Sequence, residues 1–113
     1  MRNAAARSLS TEENVEGNPD IETLQLRVGI PQHVVYRDFV SETVLLNIQT
    51  GQYHGLNPTA GRMLTVLDKV ASVDEAATQL AREFEQPVER IREDLSEFCE
   101  GLLERKLLEI RAT

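Results

Sequence analysis

The hydrophobic pattern of this 113-residue chain changes from strand-like to helix-like at Asn57. From Leu24 to Leu56, apolar residues alternate with polar ones or form short β-branched runs, which is typical of strands. Beyond Asn57 the apolar residues recur at spacings of three and four, which predicts helices. A chain of this length supports one small domain. The pattern therefore predicts an α+β domain in which a three-stranded antiparallel sheet precedes three helices.

The clearest strand is Thr43–Ile48, and a short turn follows it. Gln49-Thr50-Gly51 has the composition of a three-residue hairpin loop, whose last position needs a positive φ and therefore favours glycine. A loop of this length predicts three cross-strand pairs, namely Ile48 with Gln52, Leu46 with His54, and Val44 with Leu56. Val44, Leu46 and Leu56 would then share one face of the sheet.

Three helix starts follow the strands. Asn57 can cap the first helix, and Pro58 suits its first turn because the missing N–H costs nothing there. Ser72 and Glu75 have the spacing of a capping box at the start of the second helix, and Pro87 begins the third. The apolar stripe of the third helix comprises Val88, Ile91, Leu95, Phe98 and Leu102. The chain then closes in a short extended segment or final turn formed by Leu107, Leu108 and Ile110.

The net charge of −7 is concentrated in residues 72–105, where ten acidic residues and four arginines give −6. Six of these acidic residues lie in the third helix, within residues 87–105. Because proteins that grip nucleic acids need clustered Lys and Arg, this distribution argues against a nucleic-acid partner. No apolar run approaches the roughly 20 residues of a membrane span, so we expect no membrane partner either.

Residues 1–20 contain few large apolar residues and end in Gly17-Asn18-Pro19-Asp20. This composition predicts a disordered N-terminal tail over residues 1–20 and a folded domain over residues 21–113. The lone Cys99 excludes an internal disulfide, and such sparse use of cysteine predicts a cytoplasmic protein.

A catalytic or metal site would need chemistry-bearing residues in a recognisable arrangement. The chain has two histidines, His33 and His54, and one thiol, with no metal-binding, phosphate-binding or nucleophile motif around them. The thiol belongs to Cys99, which lies beside Phe98 on the third helix and suits the role of a small buried hydrophobe. We therefore expect no enzymatic activity, no metal and no cofactor.

Several short segments have the order and spacing of a known family. Three of them surround the hairpin, and they are Val44-Leu45-Leu46-Asn47, Thr50-Gly51-Gln52-Tyr53 and Leu56-Asn57-Pro58-Thr59. Two more lie in the helical half, and they are Ser72-Val73-Asp74-Glu75-Ala76 and the stretch from Leu95 to Leu108. Together, over about Leu26 to Ile110, these segments resemble the PqqD-like proteins. The resemblance implies a winged helix-turn-helix-like fold.

The resemblance also implies a function, that of a recognition element for ribosomally made, modified peptides. Such a protein binds the leader segment of a precursor peptide. The helix start at Leu56–Thr59 looks most like the stand-alone subunit of lasso peptide biosynthesis. That likeness implies a non-catalytic adaptor whose partners are a leader-cleaving cysteine protease and an ATP-dependent, asparagine-synthetase-like cyclase. Two alternatives stay open, a peptide chaperone for a radical SAM enzyme in pyrroloquinoline quinone biosynthesis and a winged-helix DNA-binding regulator.

An exposed sheet edge is the expected binding surface, because an extended peptide can add to it as a further strand. The segment between the hairpin and the first helix is a natural edge, and its predicted contacts are Gln52, Tyr53, His54, Gly55 and Leu56. Gly55 either permits close approach of a second backbone or marks a bulge or turn. The third helix would form the opposite wall through Arg92, Leu95, Ser96, Cys99 and Leu103. Leu95, Cys99 and Leu103 would be its apolar floor, unless these helix residues simply pack in the core.

Overall fold

The computed structural model describes residues 21–111 of the chain. The predicted disordered tail, residues 1–20, lies outside the described residues. Among the helices of the described part, none is long and apolar enough to cross a membrane.

Nine helices and strands follow one another along residues 21–111, and six of them match the predicted order of three strands and three helices. The nine are α1 (Ile21–Gln25), β1 (Arg27–Gly29), β2 (Val34–Asp38), β3 (Thr43–Asn47), β4 (Gln52–Leu56), α2 (Pro58–Leu67), α3 (Val73–Phe84), α4 (Val88–Glu104) and β5 (Glu109–Arg111). Strands β2, β3 and β4 form a three-stranded antiparallel sheet in that spatial order, and α2 to α4 follow it. The predicted α+β fold, with its winged helix-turn-helix-like arrangement, is confirmed.

The two ends of the described chain differ from the predicted pattern. The alternation that begins at Leu24 predicts a strand, but Ile21–Gln25 is a short helix. The Thr23 hydroxyl in this helix donates a hydrogen bond to the Glu100 carboxylate of α4 (2.8 Å), a contact between residues far apart in sequence. Strand β1 pairs with β5 in a separate two-stranded sheet, which confirms the extended form of the predicted C-terminal segment.

The hairpin between β3 and β4 has a register one residue away from the predicted one. Its loop has four residues, Ile48–Gly51, because Asn47 organises the turn. The Asn47 side-chain oxygen accepts hydrogen bonds from the backbone N–H groups of Gln49 (2.9 Å) and Thr50 (3.3 Å), as in an Asx turn. The Asn47 carbonyl oxygen accepts from the Gly51 N–H (2.7 Å), and Gly51 has the expected positive φ of 77°.

This shift in register corrects the predicted faces of the sheet. Leu46 lies opposite Tyr53 rather than the predicted His54. Val44 lies opposite Gly55 rather than the predicted Leu56. Leu56, opposite buried Thr43, lies on the side of the helices with Leu45 and Asn47, whereas Val44 and Leu46 lie on the outer face. Because side chains alternate along a strand, a shift by one residue moves a whole set to the other face.

All three predicted helix starts are confirmed. The Asn57 side-chain oxygen caps α2 by accepting from the Ala60 N–H (2.9 Å). The Ser72 hydroxyl caps α3 by accepting from the Glu75 N–H (3.1 Å), whereas the Glu75 carboxylate accepts from the Ala71 N–H (3.0 Å) rather than from the Ser72 N–H of a capping box. Pro87 directly precedes α4 and supplies no side-chain cap. The three helices pack their apolar sides around one core with the inner face of the sheet, and its largest fully buried side chains include Leu45, Leu64, Leu67, Leu80, Leu95 and Leu107.

Gly61 explains how closely α2 approaches the sheet. Gly61 is buried in α2, and a β-carbon at this position would lie 2.9 Å from Thr43 Cβ and also collide with Thr43 Oγ1. That hydroxyl donates a hydrogen bond to Asp38 (2.5 Å), which fixes its position. The absence of a side chain at Gly61 therefore allows the helix to contact the buried strand.

Gly61→Ala is expected to lower the free energy of unfolding by about 1–3 kcal/mol, because the added methyl group overpacks the contact with Thr43. Gly101→Ala in α4 is the matched control, since nothing lies within 4 Å of its added methyl group. That variant is expected to raise the free energy of unfolding by up to about 1 kcal/mol through helix propensity. Urea unfolding followed by circular dichroism measures both, and equal effects would contradict the close contact.

Candidate functional site

Strand β4 lies at an edge of the three-stranded sheet. Within residues 21–111 its neighbour is β3, and its other side has no paired strand. Gln52, Tyr53 and Gly55 are exposed, while His54 and Leu56 are half-buried on the side of the helices. The predicted edge position of Gln52–Leu56 is therefore confirmed.

Two hydrogen bonds determine which backbone groups of β4 face this edge. The Ile48 N–H donates to the His33 carbonyl oxygen (2.8 Å), and the Phe39 N–H donates to the Glu42 carbonyl oxygen (2.7 Å). The two bonds lie just beyond the two ends of the paired strands β2 and β3, and they continue the pairing of these strands. Because the bonding direction alternates along an antiparallel strand, the even-numbered residues of β3 bond to β2. The odd-numbered residues, Thr43 to Asn47, bond to β4.

The same alternation assigns the free groups of β4. Its residues opposite Thr43, Leu45 and Asn47 use their backbone groups to bond to β3, and they are Leu56, His54 and Gln52. Tyr53 and Gly55 lie between them, so their N–H and C=O groups point out from the edge. Gly55 pairs in register with Val44 and does not have a positive φ, so it marks neither a bulge nor a turn.

An open groove of about 450 Å³ begins where β4 ends. Asn57, which directly follows Leu56, lies in its wall, and Phe98 of α4 is half-buried on the opposite side. The groove is lined by Asn57, Thr59, Ala60, Met63, Asp94, Glu97 and Phe98. It therefore separates the start of α2 from the middle of α4, and its lining combines apolar surface with two carboxylates.

The helix residues predicted for the site do not line this groove. Leu95 and Cys99 are fully buried, and Ser96 is only 4% exposed, so the predicted apolar floor is part of the core. Leu103 is half-buried and packs against the same core. The predicted rim residue Arg92 instead donates to Asp74 of α3 (2.7 Å). The physical reason is that α4 packs against α3 along a wide side. Residues expected at the border of the apolar stripe of α4 are therefore buried or paired in this contact.

The groove residues of α4 were missed by the sequence analysis. Asp94, Glu97 and Phe98 lie three and four residues apart, so they share one face of the helix. Phe98 was assigned to the core stripe, and it does pack against the core while also lining the groove. The spacing was a usable signal, but only the position of α2 indicates that this face borders a groove.

Cys99 is chemically inert in this fold. Burial raises the pKa of the Cys99 thiol to about 12, with a smaller contribution from the negative charge of Glu100. A thiol with such a pKa stays protonated at neutral pH and is a poor nucleophile. Within residues 21–111, no group of three or more His, Cys, Asp or Glu side chains is placed to hold a metal ion.

Three solved structures share this fold. The first, described as TbiB1 in complex with the TbiA(beta) leader peptide, has a TM-score of 0.67 at 29% sequence identity, covering 75% of this chain and 99% of that one. The second, described as lasso peptide synthetase B1 complexed with the leader peptide, has a TM-score of 0.67 at 22% identity, covering 74% and 98%.

The third structure is the PqqD truncation of Methylobacterium extorquens PqqCD, described as a functional and stand-alone RiPP recognition element. Its TM-score is 0.62 at 23% identity, covering 73% of this chain and 87% of that one. No curated protein sequence matches this chain.

A family model described as coenzyme PQQ synthesis protein D (PqqD) matches residues 42–108. The match extends from the start of β3 through the hairpin and all three long helices, and it confirms the resemblance found in the sequence. Because residues 42–108 make up more than half of the chain, this protein belongs to the PqqD family.

Proposed function

We propose that this chain is a non-catalytic adaptor that binds the leader segment of a ribosomally made precursor peptide. The observation that carries the proposal is the free edge of β4, where the backbone groups of Tyr53 and Gly55 point outward beside a groove. An extended peptide can add to such an edge as a fourth strand, with backbone hydrogen bonds for affinity and side-chain pockets for specificity.

The comparisons support a leader peptide as the ligand. The relative with 29% identity was solved in complex with a leader peptide, and it covers 75% of this chain. The lasso peptide type is the first candidate because the helix start at Leu56–Thr59 looks most like the stand-alone subunit of lasso peptide biosynthesis. A peptide chaperone for a radical SAM enzyme remains the second candidate, which the family description supports.

We infer that chemistry is left to partner proteins, a leader-cleaving cysteine protease and an ATP-dependent, asparagine-synthetase-like cyclase. The protonated, buried thiol of Cys99 supports a role in binding rather than catalysis. We also infer that the peptide-recognition domain extends over residues 21–113, as the sequence predicts.

Side chains alternate between the two faces along a strand, and this alternation indicates where the side chains of the added peptide would lie. Residues opposite Tyr53 and Gly55 would point to the outer face of the sheet, and their neighbours would point to the side of the helices. The inward residues near Leu56 would approach the groove beside Asn57. One or two apolar side chains anchored against Met63 and Phe98 would supply most of the binding energy.

We therefore assign roles to the predicted site residues in two groups. The strand residues Gln52–Leu56 contact the peptide directly. Arg92, Leu95, Ser96, Cys99 and Leu103 act indirectly, by holding α4 in place so that its groove face is presented. Asp94, Glu97 and Phe98 of the groove contact the peptide in place of these five residues.

The direct test is titration calorimetry of the full chain with the synthetic leader segment of the precursor peptide encoded beside its gene. We expect saturable binding with a dissociation constant of micromolar order, because a short peptide loses conformational entropy when it becomes ordered. A scrambled leader of the same composition is the control. A leader that does not bind at concentrations well above micromolar would overturn the proposed function.

Gly55→Pro is expected to weaken leader binding about tenfold or more, because it removes an N–H that points at the peptide. Its matched control is Gly55→Ala, which retains the N–H and is expected to keep the strand hydrogen bonds to the peptide. His54→Pro should instead lower the free energy of unfolding, since that N–H bonds to β3. Calorimetry and urea unfolding separate the two effects. If Gly55→Pro folds and binds normally, the edge is not the binding surface.

Thr59→Trp is expected to reduce leader affinity about tenfold or more, because the indole would fill the groove at the start of α2. Thr59 is exposed, so the substitution should leave the free energy of unfolding nearly unchanged. Thr78→Trp is the matched control on the exposed side of α3. Equal affinities of the two variants in calorimetry would exclude the groove from the binding site.

A further inference from the structure

The outer face of the sheet has a recess at Gly55, next to the free edge of β4. Gly55 lies directly opposite Val44, which is half-buried on the same face. Because residue 55 has no side chain, the Val44 side chain opposite it forms the apolar floor of this recess.

A carboxylate lies over one end of this recess. Glu42 Oε1 lies 3.2 Å from the point that a β-carbon on Gly55 would occupy. Glu42 is exposed, and within residues 21–111 no Lys, Arg or His lies within ion-pair distance of its side chain. The carboxylate is therefore available to a ligand that occupies the recess.

An aromatic ring lies at the other end. Tyr53 is two residues from Gly55 on the same face of β4, and it is 72% exposed. Tyr53 lies beside the free strand edge with most of its surface exposed. A side chain of a bound peptide therefore has room to stack on the face of its ring. The recess is thus bounded by an aromatic ring and a carboxylate, with an apolar floor between them.

We infer that this recess, formed by Glu42, Gly55 and Tyr53, selects a basic side chain of the bound peptide. The inference rests on the proposed function, since it needs the peptide strand at the edge of β4. The peptide residue directly opposite Gly55 projects to the same face as a residue-55 side chain would. It therefore enters the recess between the ring and the carboxylate.

The chemistry of the recess favours arginine over lysine and both over an aromatic residue. The methylene groups of arginine can cover Val44, while its planar guanidinium stacks on Tyr53 and donates to Glu42. An aromatic side chain would cover the floor but would desolvate the Glu42 carboxylate without pairing it, which is costly. The net charge of −7 further favours a basic ligand through long-range attraction.

The test is an arginine scan of the synthetic leader against two proteins, the wild type and Glu42→Gln. Each leader position is replaced in turn by Arg and by Ala, and affinity is measured by calorimetry. At one position we expect Arg to bind about five- to tenfold more tightly than Ala to the wild type, and nearly equally to Glu42→Gln. Glu42→Lys should prefer a Glu-substituted leader at that same position.

Two controls make the outcomes distinguishable. Glu89→Gln in α4 changes the net charge equally and should retain the full preference for Arg. Gly55→Ala fills the recess, so it should lose the preference for Arg over Ala at that position. If the leader binds the wild type but no position shows a preference that depends on Glu42, the recess is not a specificity site. If no leader variant binds the wild type, the proposed function itself fails.

Discussion

The turn organised by Asn47 is the interaction on which the site depends. Its side-chain oxygen accepts two backbone hydrogen bonds and thereby fixes a four-residue loop between β3 and β4. That loop length sets the register, which places Tyr53 and Gly55 on the outer face opposite Leu46 and Val44, with their backbone groups free at the edge. A loop shorter by one residue would exchange the two faces of β4 relative to β3. One buried side chain therefore controls which residues of β4 face outward and which of its backbone groups are free.

The packing of the helices decides which of their side chains reach the site. Helix α4 packs so broadly against α3 that Leu95, Ser96 and Cys99 are buried, and its narrower free face borders the groove. The small residue Gly61 brings α2 against β3, and the capping residue Asn57 places the start of α2 beside the end of β4. The groove exists because two helices and one strand end meet there.

Charge is distributed in a way that suits a peptide adaptor. The edge strand itself carries no acidic or basic residue other than His54, so backbone pairing meets no repulsion there. Carboxylates lie around it instead, with Asp94 and Glu97 in the groove and Glu42 on the outer face. In the proposed function, backbone pairing supplies sequence-tolerant affinity, and the surrounding charges would discriminate between peptides.

The sequence by itself determined the fold class, the helix starts and the edge strand, because these depend on local signals such as Asn57-Pro58 and the capping residue Ser72. It did not determine the register, since three- and four-residue loops both place Gly51 last and only the hydrogen bonds of Asn47 distinguish them. Nor did it determine which side of α4 is free. Periodicity shows that a helix has an apolar stripe, but the width of the buried side depends on every element packed against it, and only the tertiary structure decides that.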